Sequence, residues 1–174
     1  LKKAHGHYSG ITDVVDKDRG RMLFHRCCER GGDSLEDRSF DFLARASPSA
    51  PFLVDFQRLL PIHILLATAP CTTPHMIKRL VAIHPKSLTH RGTRGWTPIH
   101  FFCMRLPTYP RAVMVLHMLL DTKLGRKALR MKDDKGDLPL HLFCVACADL
   151  RDQVDHEIAT GLVPQNAATR RGRS

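Results

Sequence analysis

The feature that most constrains this chain is a word that keeps returning. Gly136-Asp137-Leu138-Pro139-Leu140-His141-Leu142-Phe143-Cys144 nearly restates Gly95-Trp96-Thr97-Pro98-Ile99-His100-Phe101-Phe102-Cys103. Two worn versions come earlier, Leu60-Pro61-Ile62-His63-Ile64-Leu65 and Gly20-Arg21-Met22-Leu23-Phe24-His25. The histidines stand at 25, 63, 100 and 141, so the intervals are 38, 37 and 41 residues. A fixed word at a near-fixed period of this size marks a repeat protein, in which each unit buries its apolar face only by stacking on the next.

The word itself describes a turn that becomes a helix. Gly20, Gly95 and Gly136 sit where a tight turn asks for a positive φ. Pro61, Pro98 and Pro139 suit the first helical position, where the missing N–H would have been an orphan anyway. Thr97, just before Pro98, offers a hydroxyl to a first-turn amide. Apolar residues follow, as a short buried helix needs.

These residues resemble the ankyrin repeat family, whose hallmark is a Thr-Pro-Leu-His-x-Ala segment opening the first of two antiparallel helices. Gly95 to His100 is the fullest match. Leu138 replaces the threonine in the fourth copy; Leu60 replaces it in the second, with Arg58 at the glycine position. Met22 and Leu23 replace both Thr and Pro in the first. The family spacing is about 33 residues, so the longer intervals here place extra residues in the connections. The resemblance implies an all-α solenoid of about four helix-turn-helix repeats with short hairpin-like loops.

On this reading residues 1–12 are a frayed start, 13–161 the repeat domain (about 13–50, 51–87, 88–128 and 129–161) and 162–174 a basic disordered tail. Asp33 or Ser34 caps the second helix, whose apolar side takes Leu35, Phe42 and Leu43. Thr73-Pro74 opens the partner helix of the second unit, with Met76, Ile77, Leu80, Val81 and Ile83 at helical spacing. Arg111 to Asp121 reads as the partner in the third, Lys123 to Lys135 as a long basic connection. In the fourth, Pro139 to about Ala148 precedes a second helix, Gln153 to Thr160, capped by Asp149 or Asp152. Ile158 would then lie bare at the end. That exposure, and a first residue that is Leu, suit a piece of a longer array.

Charge is uneven. Residues 48–131 carry twelve Lys and Arg against two Asp and Glu, and the whole chain is +10. A solvated basic face, an acidic partner, nucleic acid or an anionic surface each accounts for this. The most apolar window, Phe52 to Pro70, is broken by Asp55, Arg58, His63 and prolines, which excludes a membrane span. No signal peptide is visible. Cys28, Cys103 and Cys144 share the slot three residues after the motif histidine and read as small buried hydrophobes. Reduced thiols, and hence an intracellular location, follow from that reading of the six cysteines.

Three features bear on chemistry. His141, Cys144 and Cys147, with His156 as a fourth, form a candidate zinc set, but their spacing lies inside a helix and zinc needs convergent ligands. Four equivalent histidines argue against catalysis, because an active site needs one special constellation. The resemblance implies instead that His25, His63, His100 and His141 tie neighbouring turns together. No cofactor fingerprint is present. The expected role is therefore a non-enzymatic protein-interaction module, a monomer or part of a longer chain, binding another protein with an acidic or mixed surface. The resemblance implies a concave face of turn tips and first helices. It carries onto Thr93, Arg94, Trp96, Met104 and Arg105 in the third unit, and Asp134, Lys135, Asp137, Val145 and Ala146 in the fourth. In the first it carries onto Arg19, Arg21, Glu29 and Arg30. Trp96, the only tryptophan, either anchors a partner or covers the neighbouring turn. Nucleic-acid binding by the basic middle and tail is the alternative, without a recognition motif to carry it.

Overall fold

The structure, a computed structural model, describes residues 14–30, 34–68, 74–108 and 112–160, with the side chains of 34–37, 108 and 157–159 left aside. Residues 1–12, Asp33, Cys71, Thr73 and the tail 162–174 lie outside that description, as do the side chains of Leu35 and Ile158.

The fold is all-α. Among the described residues its α-helices are α1 (Leu23–Arg30), α2 (Ser34–Ala46), α3 (Pro61–Ala67), α4 (Pro74–Ile83), α5 (Pro98–Arg105), α6 (Ala112–Leu120), α7 (Lys123–Ala128) and α8 (Pro139–Ala159). Among the described residues the only extended pairing is an isolated antiparallel bridge, Val15 to Met22.

Four tight turns precede α1, α3, α5 and α8, each closed by a main-chain bond: Asp16 N to Arg21 O, Asp55 N to Leu59 O, Gly92 N to Trp96 O and Asp133 N to Asp137 O, at 2.8–3.0 Å. Gly20, Gly95 and Gly136 hold φ of 66°, 69° and 88°. Arg58 holds φ 61° in the equivalent place, a conformation that costs a side-chain-bearing residue about 1 kcal/mol.

The helices after the turns stand side by side in sequence order, α1 against α3, α3 against α5 and α5 against α8. Behind them α2, α4 and α6 pack in the same order. Between the rows lies one core that includes Phe24, Phe40, Ile62, Leu65, Leu66, Met76, Ile77, Leu80, Leu88, Ile99, Phe102, Val115 and Leu119. All six residues from Pro61 to Leu66 are buried, as a helix flanked on both sides requires.

Four expectations need correction. The last unit is not a helix pair: α8 runs unbroken for 21 residues. Nothing from Leu140 to Ala159 is Gly or Pro, so Asp149 and Asp152 ride within the helix instead of starting a new one. Residues 123–128 are not a loop but α7, capped by the Thr122 hydroxyl, which accepts from Gly125 N at 2.9 Å. Its Ala128 is buried, and α7 packs on the 3₁₀ segment Pro85–Thr89. A side chain at Gly125 would meet the Leu119 carbonyl oxygen at 1.8 Å, so this crossing needs glycine. In α2, Phe40 is buried against Phe24 with ring centroids 5.1 Å apart, while Phe42 faces outward. The phase of that helix is thus set by Phe40 and Leu43. Finally, Cys28 and Cys103 are buried, but Cys144 in the same slot is exposed.

Candidate functional site

The four histidines do one job three times. In each unit the N–H of the residue before the helix donates to the histidine Nδ1: Met22 to His25, Leu60 to His63, Thr97 to His100 and Leu138 to His141, at 3.1–3.3 Å. A backbone N–H can only donate, so Nδ1 carries no proton, and the neutral ring holds its proton on Nε2. That Nε2–H then donates to a carbonyl of the following turn: His25 to Leu53 at 3.1 Å, His63 to His90 at 3.2 Å and His100 to Asp137 at 3.3 Å. Each imidazole therefore caps its own helix and fastens the next unit to it. The Thr97 hydroxyl, expected to accept from an amide, lies 2.8 Å from Nδ1 and donates to it instead.

Burial holds His63 down to about 3, because a charged imidazole there would lose water and gain no partner. Burial lowers His25 and His100 in the same way.

A second pattern links the turn tips. Phe56 N donates to Arg19 O, Thr93 N to Gln57 O and Asp134 N to Arg94 O, at 3.0–3.1 Å, so a main-chain ladder runs from tip to tip. Beside it, the residue four before each histidine meets the residue eight before the next. Arg21 pairs with Asp55 at 3.2 Å, Leu59 lies over Gly92, and Trp96 donates its Nε1–H to Asp133 at 2.9 Å. Where the first partner is a donor the second is Asp; where it is leucine the second is Gly. Asp55 and Asp133 also cap their own turns, Asp55 accepting from Gln57 and Leu59, Asp133 from Lys135 and Asp137. Burial pushes the Asp133 carboxyl up, but the N–H donors of Asp137, Trp96 and Lys135 outweigh it and hold it below its usual range.

Sequence reasoning missed Asp55 and Asp133. The signal was present as an Asp eight residues before a motif histidine. Arg21, carried over as a contact for a partner, is buried between Asp55 and Glu29, with Glu29 at 2.7 Å. It belongs to the scaffold.

A groove of about 510 Å³ opens between α5 and α8. Trp96, Phe101 and Met104 line it from the third unit, Leu150 and Gln153 from α8, and Arg105 and Asp149 bring opposite charges to it. The Trp96 and Phe101 rings meet edge to face at 5.0 Å, and the Arg94 guanidinium sits 5.6 Å from the indole centroid. Trp96 thus covers the neighbouring turn with its N–H and gives the groove part of its ring. The unbroken α8 is what supplies the far wall. Of the sequence-derived candidates, Trp96, Met104, Arg105 and Ala146 come together here. Thr93, Asp134 and Lys135 stay at the exposed tips, and Asp134 pairs there with Arg91 at 2.9 Å. Asp137 is half-buried and gives its carbonyl to His100. Val145 is exposed outside the groove lining.

The candidate zinc set does not converge. His141, Cys144 and Cys147 lie on one helix, where six residues climb about 9 Å and turn through about 600°, which leaves the first and last about 120° apart around the axis. Among the described residues no three His, Cys, Asp or Glu side chains are placed to hold a metal ion. The buried thiols are poor nucleophiles: burial pushes Cys28 well up and Cys103 to about 12. No described helix is long and apolar enough to cross a membrane.

On α7, Lys123, Arg126, Lys127 and Arg130 line a shallow groove of about 340 Å³ with no other residue. Much of the mid-chain charge is gathered here.

No protein-family model matches the chain, and no curated protein matches it.

Proposed function

We propose that the chain is an ankyrin-like repeat array acting as a non-enzymatic interaction module, with the groove between α5 and α8 as its gripping surface. The observation that carries this reading is Trp96. One unit fixes its backbone, the next accepts its N–H, and its remaining ring surface lines a groove with Phe101, Met104 and Leu150. An aromatic anchor already immobilised loses little conformational freedom on binding. Arg94 and Arg105 beside it suit a partner segment with a large apolar residue next to Asp or Glu. His25, His63 and His100 support a scaffold role, because both ring nitrogens of each are already bonded within the array.

Selection of displayed peptides on the immobilised chain tests this. Enriched sequences should pair an apolar residue with a carboxylate, and Met104→Glu, which touches no turn bond, should lower their binding tenfold or more, about 1.4 kcal/mol. Binding that survives Met104→Glu and the double change Trp96→Ala with Arg94→Ala removes the groove from the account.

The α7 cluster favours a second reading, an anionic ligand or nucleic acid. Labelled RNA and DNA would then bind with a steep loss of affinity as salt rises. Reversing Lys123 and Lys127 to Glu would flatten that slope.

A further inference from the structure

The word is covered in three units and bare in the fourth. Phe24, Ile62 and Ile99, one residue before each histidine, are 2%, 1% and 0% exposed; Leu140 in that place is 57% exposed. Cys28, Leu66 and Cys103 are buried, whereas Cys144 is exposed. A Cβ at Gly20 or Gly95 would strike Phe56 or Asp134 of the next turn, but at Gly136 it would meet nothing within 4 Å. His141 makes the bond to its own helix start, and its ring is exposed where the other three reach a following turn.

We infer that this end face, formed by Gly136, Leu140, His141 and Cys144, docks the first unit of a second copy of the chain. Two observations at the leading edge of the first copy of the word select that occupant. That edge holds the register of two of the three junctions: Val14 stands two before Asp16 as Leu53 and His90, the carbonyls that receive His25 and His63, stand two before Asp55 and Gly92, while His100 reaches Asp137. Val14, Val15 and Leu23 there are 65%, 46% and 40% exposed. Charge agrees as well. Residues 132–160 carry seven Asp and Glu against three Lys and Arg, while Arg26, Arg30 and Arg38 outnumber Glu29 in the groove beside Leu23. Counted from the start of the turn, whose first copy is one residue longer, Lys17 takes the position of Phe56 and Asp134, which brings it over Gly136 near Asp134 and Asp137. One pair opposes the match, Asp16 against Asp137, although Arg26 already binds Asp16.

Such a contact is head-to-tail and does not close on itself, so it builds open chains. A single end face of this size implies weak association, with Kd of roughly 100 µM. Sedimentation of the intact chain should show its average mass at least doubling from about 10 to 500 µM. Leu140→Lys spoils only the trailing face and Leu23→Asp only the leading face. Each variant alone should stay monomeric, and a mixture of the two should form a one-to-one dimer. The inference is overturned if the wild-type chain stays monomeric throughout. Association that persists in both variants, or fails to return in the mixture while both melt as the parent does, also overturns it.

Discussion

His63 and His141 hold the same place in the same word, yet they live in different surroundings. His63 is fully buried, bonded to Leu60 N on one side and His90 O on the other, and ringed edge-on by His90 and Phe101. His141 keeps only its local bond, accepting from Leu138 N, and its side chain is 58% exposed. The word sets the local geometry, because both imidazoles cap their helices alike. What the word is worth to the fold depends on the unit that follows, which buries the ring and supplies its second acceptor.

The largest way to break that comparison is to delete both rings. His63→Ala leaves a buried N–H and a buried carbonyl unpaired beside a cavity, so it should cost about 3–5 kcal/mol in urea unfolding. His141→Ala should cost about 0.5 kcal/mol or less. Equal losses would mean that the cross-unit bond contributes nothing.

Acid is the next lever. With His63 lowered to about 3, the unfolded chain takes up a proton below about pH 6.5 that the folded chain refuses. The contribution of neutral His63 is complete above that pH and drains away as pH falls toward the folded value. By pH 5 this one ring should lower stability by about 2 kcal/mol, with His25 and His100 adding in the same direction. Urea midpoints at pH 7 and pH 5 measure it, and the difference should shrink in His63→Ala.

A smaller contrast separates two glycines. Gly20→Ala and Gly136→Ala each force a side chain into positive φ at about 1 kcal/mol. Gly20→Ala must also displace Phe56, whose ring would stand 2.3 Å from the new Cβ, so thermal melting should rank it as the more harmful change. Smallest is Trp96→Phe, which removes one N–H donor from Asp133 while two backbone donors remain. It should cost about 1 kcal/mol by urea unfolding.

The turns and the helices they open were legible because Gly, Pro and His each have a local reason to be there. The partner helices α4 and α6 followed from apolar spacing. The rest depended on neighbours. Asp55 and Asp133 look like ordinary polar residues until the turn folds around them and Arg21 or Trp96 arrives from the previous unit. Arg21 read as a surface cation because its two carboxylate partners are 34 and 8 residues away. The break expected near Asp149 and Asp152 failed because aspartate tolerates a helix interior when nothing competes, and α8 has no outer helix to turn back for. For the same reason the groove itself was illegible: its wall from Ala146 to Gln153 exists only because α8 continues.

The protonation state of the buried imidazoles tests the central claim of cross-unit bridging most directly. A long-range proton–nitrogen correlation spectrum at pH 7.5 should show His25, His63 and His100 as neutral rings protonated on Nε2. Rings that are charged at that pH, or neutral with the proton on Nδ1, would contradict the bridges, because Nδ1 would then have no lone pair for its own helix start.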